Sequence, residues 1–126
     1  MSGKLRAVLD TNAVVSLLAG NSELSSKLER AEYIGISIVT YLEFLAFDGL
    51  TDSDRDCFSA FCKRVNIEPL IIDDNILLQK ALDLRSLYRL KLPDTIIGAT
   101  ALSRNALLIT NDSHFSDIFL LTIQGC

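Results

Sequence analysis

Apolar and polar positions fall in short blocks along the chain, and the blocks read alternately as strands and helices. Residues 6–9 predict a first strand that ends in Asp10-Thr11-Asn12. Residues 13–19 predict a helix stopped by Gly20, and residues 22–30 a polar second helix. Residues 33–36 read as the second strand. Ser37 is expected to cap a helix over residues 39–48, closed by Gly49. Thr51 or Ser53 caps a helix over residues 54–65, and residues 67–72 read as the third strand. Asp73 or Asp74 caps a long helix to about Arg89. Pro93 starts a helix to about Asn105, residues 107–110 form the fourth strand, and residues 119–123 the fifth.

Strands separated by one or two helices are not hairpins, so they pair in parallel through right-handed helical crossovers. The expected fold is α/β: a three-layer helix–sheet–helix sandwich around a mostly parallel sheet of about five strands. The 126 residues suit a single domain over 1–126. A hydrophobic share of 49% excludes a disordered chain and fits a sheet covered on both faces. No apolar run approaches the roughly 20 residues of a membrane span. Only Ala7-Val8-Leu9 run apolar near the N-terminus before an acid, which is not the pattern of a signal peptide.

A net charge of −4 is the wrong sign for holding nucleic acid by bulk charge alone. Any such role needs cations or local basic patches. Cys57 and Cys62 would point about 140° apart on a helix, by its 3.6-residue turn. With Cys126 they match neither a zinc knuckle nor a disulfide framework, and they read as thiols in a reducing cytoplasm.

In an open parallel sheet, ligands bind beyond the carboxyl ends of the strands. Asp10 follows the first strand and Asp112 the fourth. Glu43 lies in the helix after the second strand, and Asp94 in the first turn of the helix feeding the fourth. Each has a plainer role available: Asp10 as a helix cap, Asp94 as a partner of the helix dipole, Asp112 as a turn residue. Glu43 is harder to set aside. Its helical neighbours Val39, Thr40, Ala46 and Phe47 are apolar except the threonine, which predicts a partly buried carboxylate with no Lys or Arg within a turn. A cation is the economical partner. Oxygen ligands without a His or Cys cluster point to Mg²⁺ or Mn²⁺. The run Gly98-Ala99-Thr100-Ala101 lets its helix approach the sheet closely, which would hold Asp94 firmly.

The remaining chemistry is sparse. The one histidine, His114, reads as a loop residue, and the six glycines form no phosphate-binding loop. Asp52, Asp54 and Asp56 read as a helix start, and so do Asp73 and Asp74. Arg85, Arg89 and Lys91 form either a basic rim near Asp94 or simply the dipole-matched end of a helix.

Four stretches carry a family likeness: Val8-Leu9-Asp10-Thr11-Asn12; Thr40-Tyr41-Leu42-Glu43; Leu92 to Ala101 around Pro93-Asp94; and Leu108-Ile109-Thr110-Asn111-Asp112-Ser113-His114-Phe115. Together they resemble the PIN domain, in the form of the small VapC-type toxins, over essentially the whole chain. The resemblance implies a parallel sheet between helices and a Mg²⁺- or Mn²⁺-dependent ribonuclease site. Asp10, Glu43, Asp94 and Asp112 match the family's acidic quartet as catalytic residues and metal ligands. Thr11 or Asn12, and Thr110, match supporting polar positions that orient a carboxylate or water. Some members carry a further acid after the fourth strand, where this chain has His114, with Asp117 further on. The resemblance also implies an RNA substrate, a small antitoxin partner, a homodimer and a cytoplasmic location. The helices over 13–19 and 22–30 offer apolar faces to such a partner, or to the core.

Two other readings remain. A phosphoacceptor signalling domain shares the length and the acidic edge. It wants an acid pair after strand one and a Lys after the last strand; this chain has one Asp there and no Lys after Phe119. A non-catalytic PIN-like binding module would contact RNA or a partner without cutting.

Overall fold

The computed structural model describes residues 4–115 and 123–124. Strands β1 (Arg6–Leu9), β2 (Tyr33–Ser37), β3 (Asn66–Glu68), β4 (Leu107–Ile109) and β5 (Ile123–Gln124) form one sheet in the order β3-β2-β1-β4-β5. Every pairing is parallel. In the central register Val8 lies opposite Gly35 on one side and Leu108 on the other. The helices are α1 (Thr11–Leu18), α2 (Ser22–Leu28), α3 (Ile38–Leu45), α4 (Asp52–Cys62), α5 (Asn75–Tyr88) and α6 (Leu92–Ser103), with a 3₁₀ turn at Ser113–Phe115.

The two-residue period of a strand sends alternate side chains to opposite faces. Val8 and Leu108 enter a core with Leu77 and Leu84 of α5 and Ile97 of α6. Ala7, Leu9 and Ile109 enter a second core with Val14, Leu24, Phe44 and Phe58 from α1 to α4. The expected three layers follow from this division. In the second core Phe44 and Phe58 stack with ring centroids 4.1 Å apart. Gly98, Ala99, Thr100 and Ala101 are all buried where α6 crosses β1, β2 and β4.

Most element boundaries move by a residue or two, for local reasons. α1 begins at Thr11, because the Asp10 carboxylate accepts from the Ala13 N–H at 2.8 Å and is itself the cap. α4 begins at Asp52 through a capping box in which Thr51 and Asp54 each accept from the other's backbone N–H. α3 ends at Leu45, short of the expected residue 48.

The larger correction is β3. The sequence pattern predicts a strand over 67–72, but pairing stops at Glu68. Pro69 follows, has no N–H to donate to the ladder, and turns the chain away from β2. Leu70, Ile71 and Ile72 are consequently exposed, Ile72 at 81%. The fifth strand pairs through Ile123 and Gln124; residues 119–122 of the expected strand lie outside the described residues.

Candidate active site

The polar centre of the molecule begins where β1 ends. The Asp10 N–H donates to the Ile109 carbonyl at 3.2 Å, so Asp10 leaves the sheet tied to β4. Its two carboxylate oxygens have separate partners. Oδ1 takes the Ala13 N–H, and Oδ2 takes the Thr110 hydroxyl in a short hydrogen bond. The same Thr110 oxygen accepts the Asp112 N–H at 2.9 Å. One buried threonine thus couples the chain after β1 to the chain after β4, 100 residues apart in sequence.

Asp112 Oδ1 accepts the His114 N–H at 2.9 Å, which folds residues 112–114 into a tight turn. That turn places the His114 ring Nδ1 3.2 Å from Asp112 Oδ1 and 3.8 Å from Asp94 Oδ2. Asp94 stands in the first turn of α6. From α3, the Glu43 carboxylate accepts the Thr11 hydroxyl at 2.5 Å. All four acids, with Thr11 and Asn12, line one cavity of about 420 Å³ at the carboxyl edge of the sheet; Ala46, Phe47 and Ile97 supply its apolar wall.

Two sequence expectations change here. Glu43 is exposed, not partly buried. Thr40 on its stripe is buried, but α3 ends at Leu45, and Phe47 beyond it stays 45% exposed, so the stripe opens onto the cavity instead of the core. His114 is more than a loop residue: its ring joins Asp94 and Asp112 in a group whose donor atoms all lie within 4.8 Å of one another. Asp10 and Glu43 line the same cavity outside that tight group. The hint for His114 was its spacing of two from Asp112, which allows the turn but does not say where the ring goes. Asp117 lies outside the described residues.

The site holds its charge at a cost. Burial pushes the Asp10 carboxyl above its ordinary range, and the charges of Asp112 and Glu43 add to this, against the hydrogen bonds from Thr110 and Ala13. Burial and the Asp112 charge likewise push Asp94 up, with His114 opposing. Among the described residues no Lys or Arg forms an ion pair with any of the four acids. Converging oxygen donors with excess negative charge suit a hard divalent cation such as Mg²⁺ or Mn²⁺. The His114 nitrogen adds one nitrogen donor beside these oxygens.

A parallel α/β sandwich in which acids after β1 and β4, in the last turn of α3 and in the first turn of α6 meet at one carboxyl edge defines a class of fold and site together. The chain belongs to the PIN domain family, whose model matches residues 7–119. No curated protein matches it by sequence. Among solved structures it is similar to VapBC2 from Rickettsia felis bound to a promoter DNA fragment (TM-score 0.81, 20% identity, covering 96% of this chain and 98% of that one). It is also similar to VapBC-1 from nontypeable Haemophilus influenzae (0.76, 24%, 96% and 98%). A toxin–antitoxin complex from Klebsiella pneumoniae matches at 0.73 and 28% identity, over 92% and 95%. The strand order also separates this fold from the signalling-domain alternative, whose sheet runs 2-1-3-4-5. Among the described residues no helix is long and apolar enough to cross a membrane.

Proposed function

We propose that this PIN domain is a Mg²⁺- or Mn²⁺-dependent endoribonuclease, the toxin of a toxin–antitoxin pair. The observation that carries the reading is the meeting of Asp10, Glu43, Asp94 and Asp112 in one cavity, without an ion pair to Lys or Arg among the described residues. Asp10, Asp94, Asp112 and Glu43 would hold the metal. When bound, a divalent ion supplies charge neutralisation at the phosphate and activation of an attacking water. Thr110 fixes the Asp10 carboxylate and the Asp112 backbone, and Thr11 fixes Glu43, so the donors are oriented before metal arrives. Asn12 faces the same cavity as a polar neighbour for water or substrate.

The partner reading rests on the Klebsiella toxin–antitoxin complex and on an apolar groove of about 240 Å³ that meets the acidic cavity at Phe47. Val15 and Leu18 of α1, with Phe44, Phe47 and Leu50, line that groove, which suits an apolar segment of a small antitoxin. The outer face of α1 therefore serves a partner, while Val14 and Leu24 of the same helical pair serve the core. A cytoplasmic homodimer belongs to this reading.

The test is cleavage of single-stranded RNA with Mg²⁺ or Mn²⁺, by wild type and variants purified in parallel. Hydrolysis that expels the 3′-oxygen leaves a 5′-phosphate and a 3′-hydroxyl. Cutting should stop in EDTA and in Asp10→Asn and Asp94→Asn with the fold intact. Cleavage that survives EDTA, or yields a 2′,3′-cyclic phosphate, overturns the mechanism. RNA binding without turnover, indifferent to chelator, would make the domain a non-catalytic module instead.

A further inference from the structure

A second cavity of about 420 Å³ adjoins the acidic one and shares Asp94 with it. Its walls are Tyr88, Arg89, Leu90 and Lys91 from the α5–α6 connection, and Ser113 and His114 from the turn after β4. We propose that this cavity is a substrate subsite that seats the RNA nucleotide next to the bond being cut, with Arg89 and Lys91 on its phosphate. The inference rests on the ribonuclease reading and deepens it.

Three observations carry it. First, charge: the chain is acidic overall and its catalytic cavity is more so, so a polyanion needs a local cationic hold beside that cavity. Second, availability. Arg104 is tied to Glu68 and Asp74, Arg6 to Glu32 and the Arg104 carbonyl, and Arg85 to the Leu90 carbonyl. Arg85 thereby leaves the basic rim and braces the connection. Arg89 and Lys91 are exposed, and among the described residues neither side chain forms an ion pair or a hydrogen bond. Third, backbone. Arg89 ends α5 at φ 54 and ψ 37, the left-handed region that favours glycine. The turn alone would be better served by glycine, so the arginine side chain needs another explanation, and cavity access supplies one. A cationic wall that tracks the backbone is a usual hold on single-stranded nucleic acid.

The experiment measures fluorescence polarisation of a short labelled single-stranded RNA on the full chain carrying Asp10→Asn, so that nothing is cut, across a salt series. Steady-state cleavage is measured in parallel with Asp10 intact. Arg89→Gly and Lys91→Gln should each weaken RNA binding roughly fivefold and lower the salt slope by about 0.7, the value for one lost phosphate contact on a single strand. In Arg89→Gly KM should rise with kcat little changed. Arg89→Gly should melt no lower than its parent, because glycine relaxes the turn; a structural role for the arginine predicts the opposite. Lys4→Gln removes the same charge at the amino edge of the sheet and should leave binding and slope unchanged. Unchanged affinity and slope in Arg89→Gly and Lys91→Gln, with wild type still cutting RNA, would overturn the subsite alone. Equal losses in Lys4→Gln would reduce it to bulk charge and overturn it as well. Wild type that neither cuts nor binds RNA removes both readings.

Discussion

Replacing Thr110 by valine tests the join on which the site is built. The hydroxyl is buried, 3% exposed, and sits between the Asp10 carboxylate, 4% exposed, and the Asp112 N–H. Valine keeps the shape and removes both bonds. A hydrogen bond to a charged group contributes about 1.5–3 kcal/mol, and the abandoned Asp112 N–H adds about 1 kcal/mol. The expected loss without metal at neutral pH is therefore about 2.5–4 kcal/mol. For a chain of this size that is a fall in Tm of roughly 8–15 °C. Thr110→Ser keeps the hydroxyl, loses one methyl, and should cost only about 1 kcal/mol. The pH dependence follows from Asp10. Its folded pKa already lies above the unfolded value, so its contribution to stability is complete at low pH and declines as pH rises through the folded pKa. The Thr110 bond holds that pKa down, so valine raises it further. The deficit of Thr110→Val should thus be small near pH 4 and grow toward neutral pH. Urea unfolding in EDTA at a series of pH values measures this directly. Valine and serine variants of equal stability, or a deficit that does not vary with pH, would refute the reasoning.

Asp94→Asn should preserve or raise stability in EDTA, because burial and the Asp112 charge oppose ionisation at Asp94 more than the α6 dipole favours it. The raised pKa means the gain over wild type appears as pH climbs above the ordinary carboxylate range and vanishes below it. Saturating Mn²⁺, which should add about 2.7 kcal/mol to wild type at a hundred times Kd, should add much less to this variant; marked destabilisation with an unchanged Mn²⁺ effect would make Asp94 chiefly a helix-end residue. Gly35→Ala should cost about 1–3 kcal/mol by overpacking, since a Cβ there would stand 2.8 Å from Tyr33 Cζ. The Tyr33 ring cannot swing away easily: its hydroxyl donates to Glu68, and the Arg6 guanidinium lies 4.7 Å over its face. Thermal melts of Gly35→Ala alone and with Tyr33→Leu check this, and equal losses in both backgrounds would show that Tyr33 is not the obstacle.

Local rules account for much of this molecule. The switch between two-residue and 3.6-residue periods separates strands from helices, and Ser37, Thr51 and Asp74 accept backbone N–H groups at the helix starts where their side chains suit them. Once the strands are parallel, the residues that follow β1 and β4 share the carboxyl edge, so Asp10 and Asp112 meet by topology. Pro69 is legible too: it has no N–H to offer the ladder, and the third strand ends before it. Other features depend on what a second element does. The apolar neighbours of Glu43 predicted burial, but burial needs a covering surface, and where α3 stops the fold leaves a cavity. His114 reaches Asp94 only because the turn at Asp112 and the first turn of α6 converge from separate stretches of chain. Arg85, Arg89 and Lys91 look alike in sequence, yet the Leu90 carbonyl takes Arg85 while a left-handed turn leaves Arg89 beside the second cavity. Periodicity and capping act within a few residues along the chain; the direction and company of a side chain are decided by helices and loops packed from far away in it.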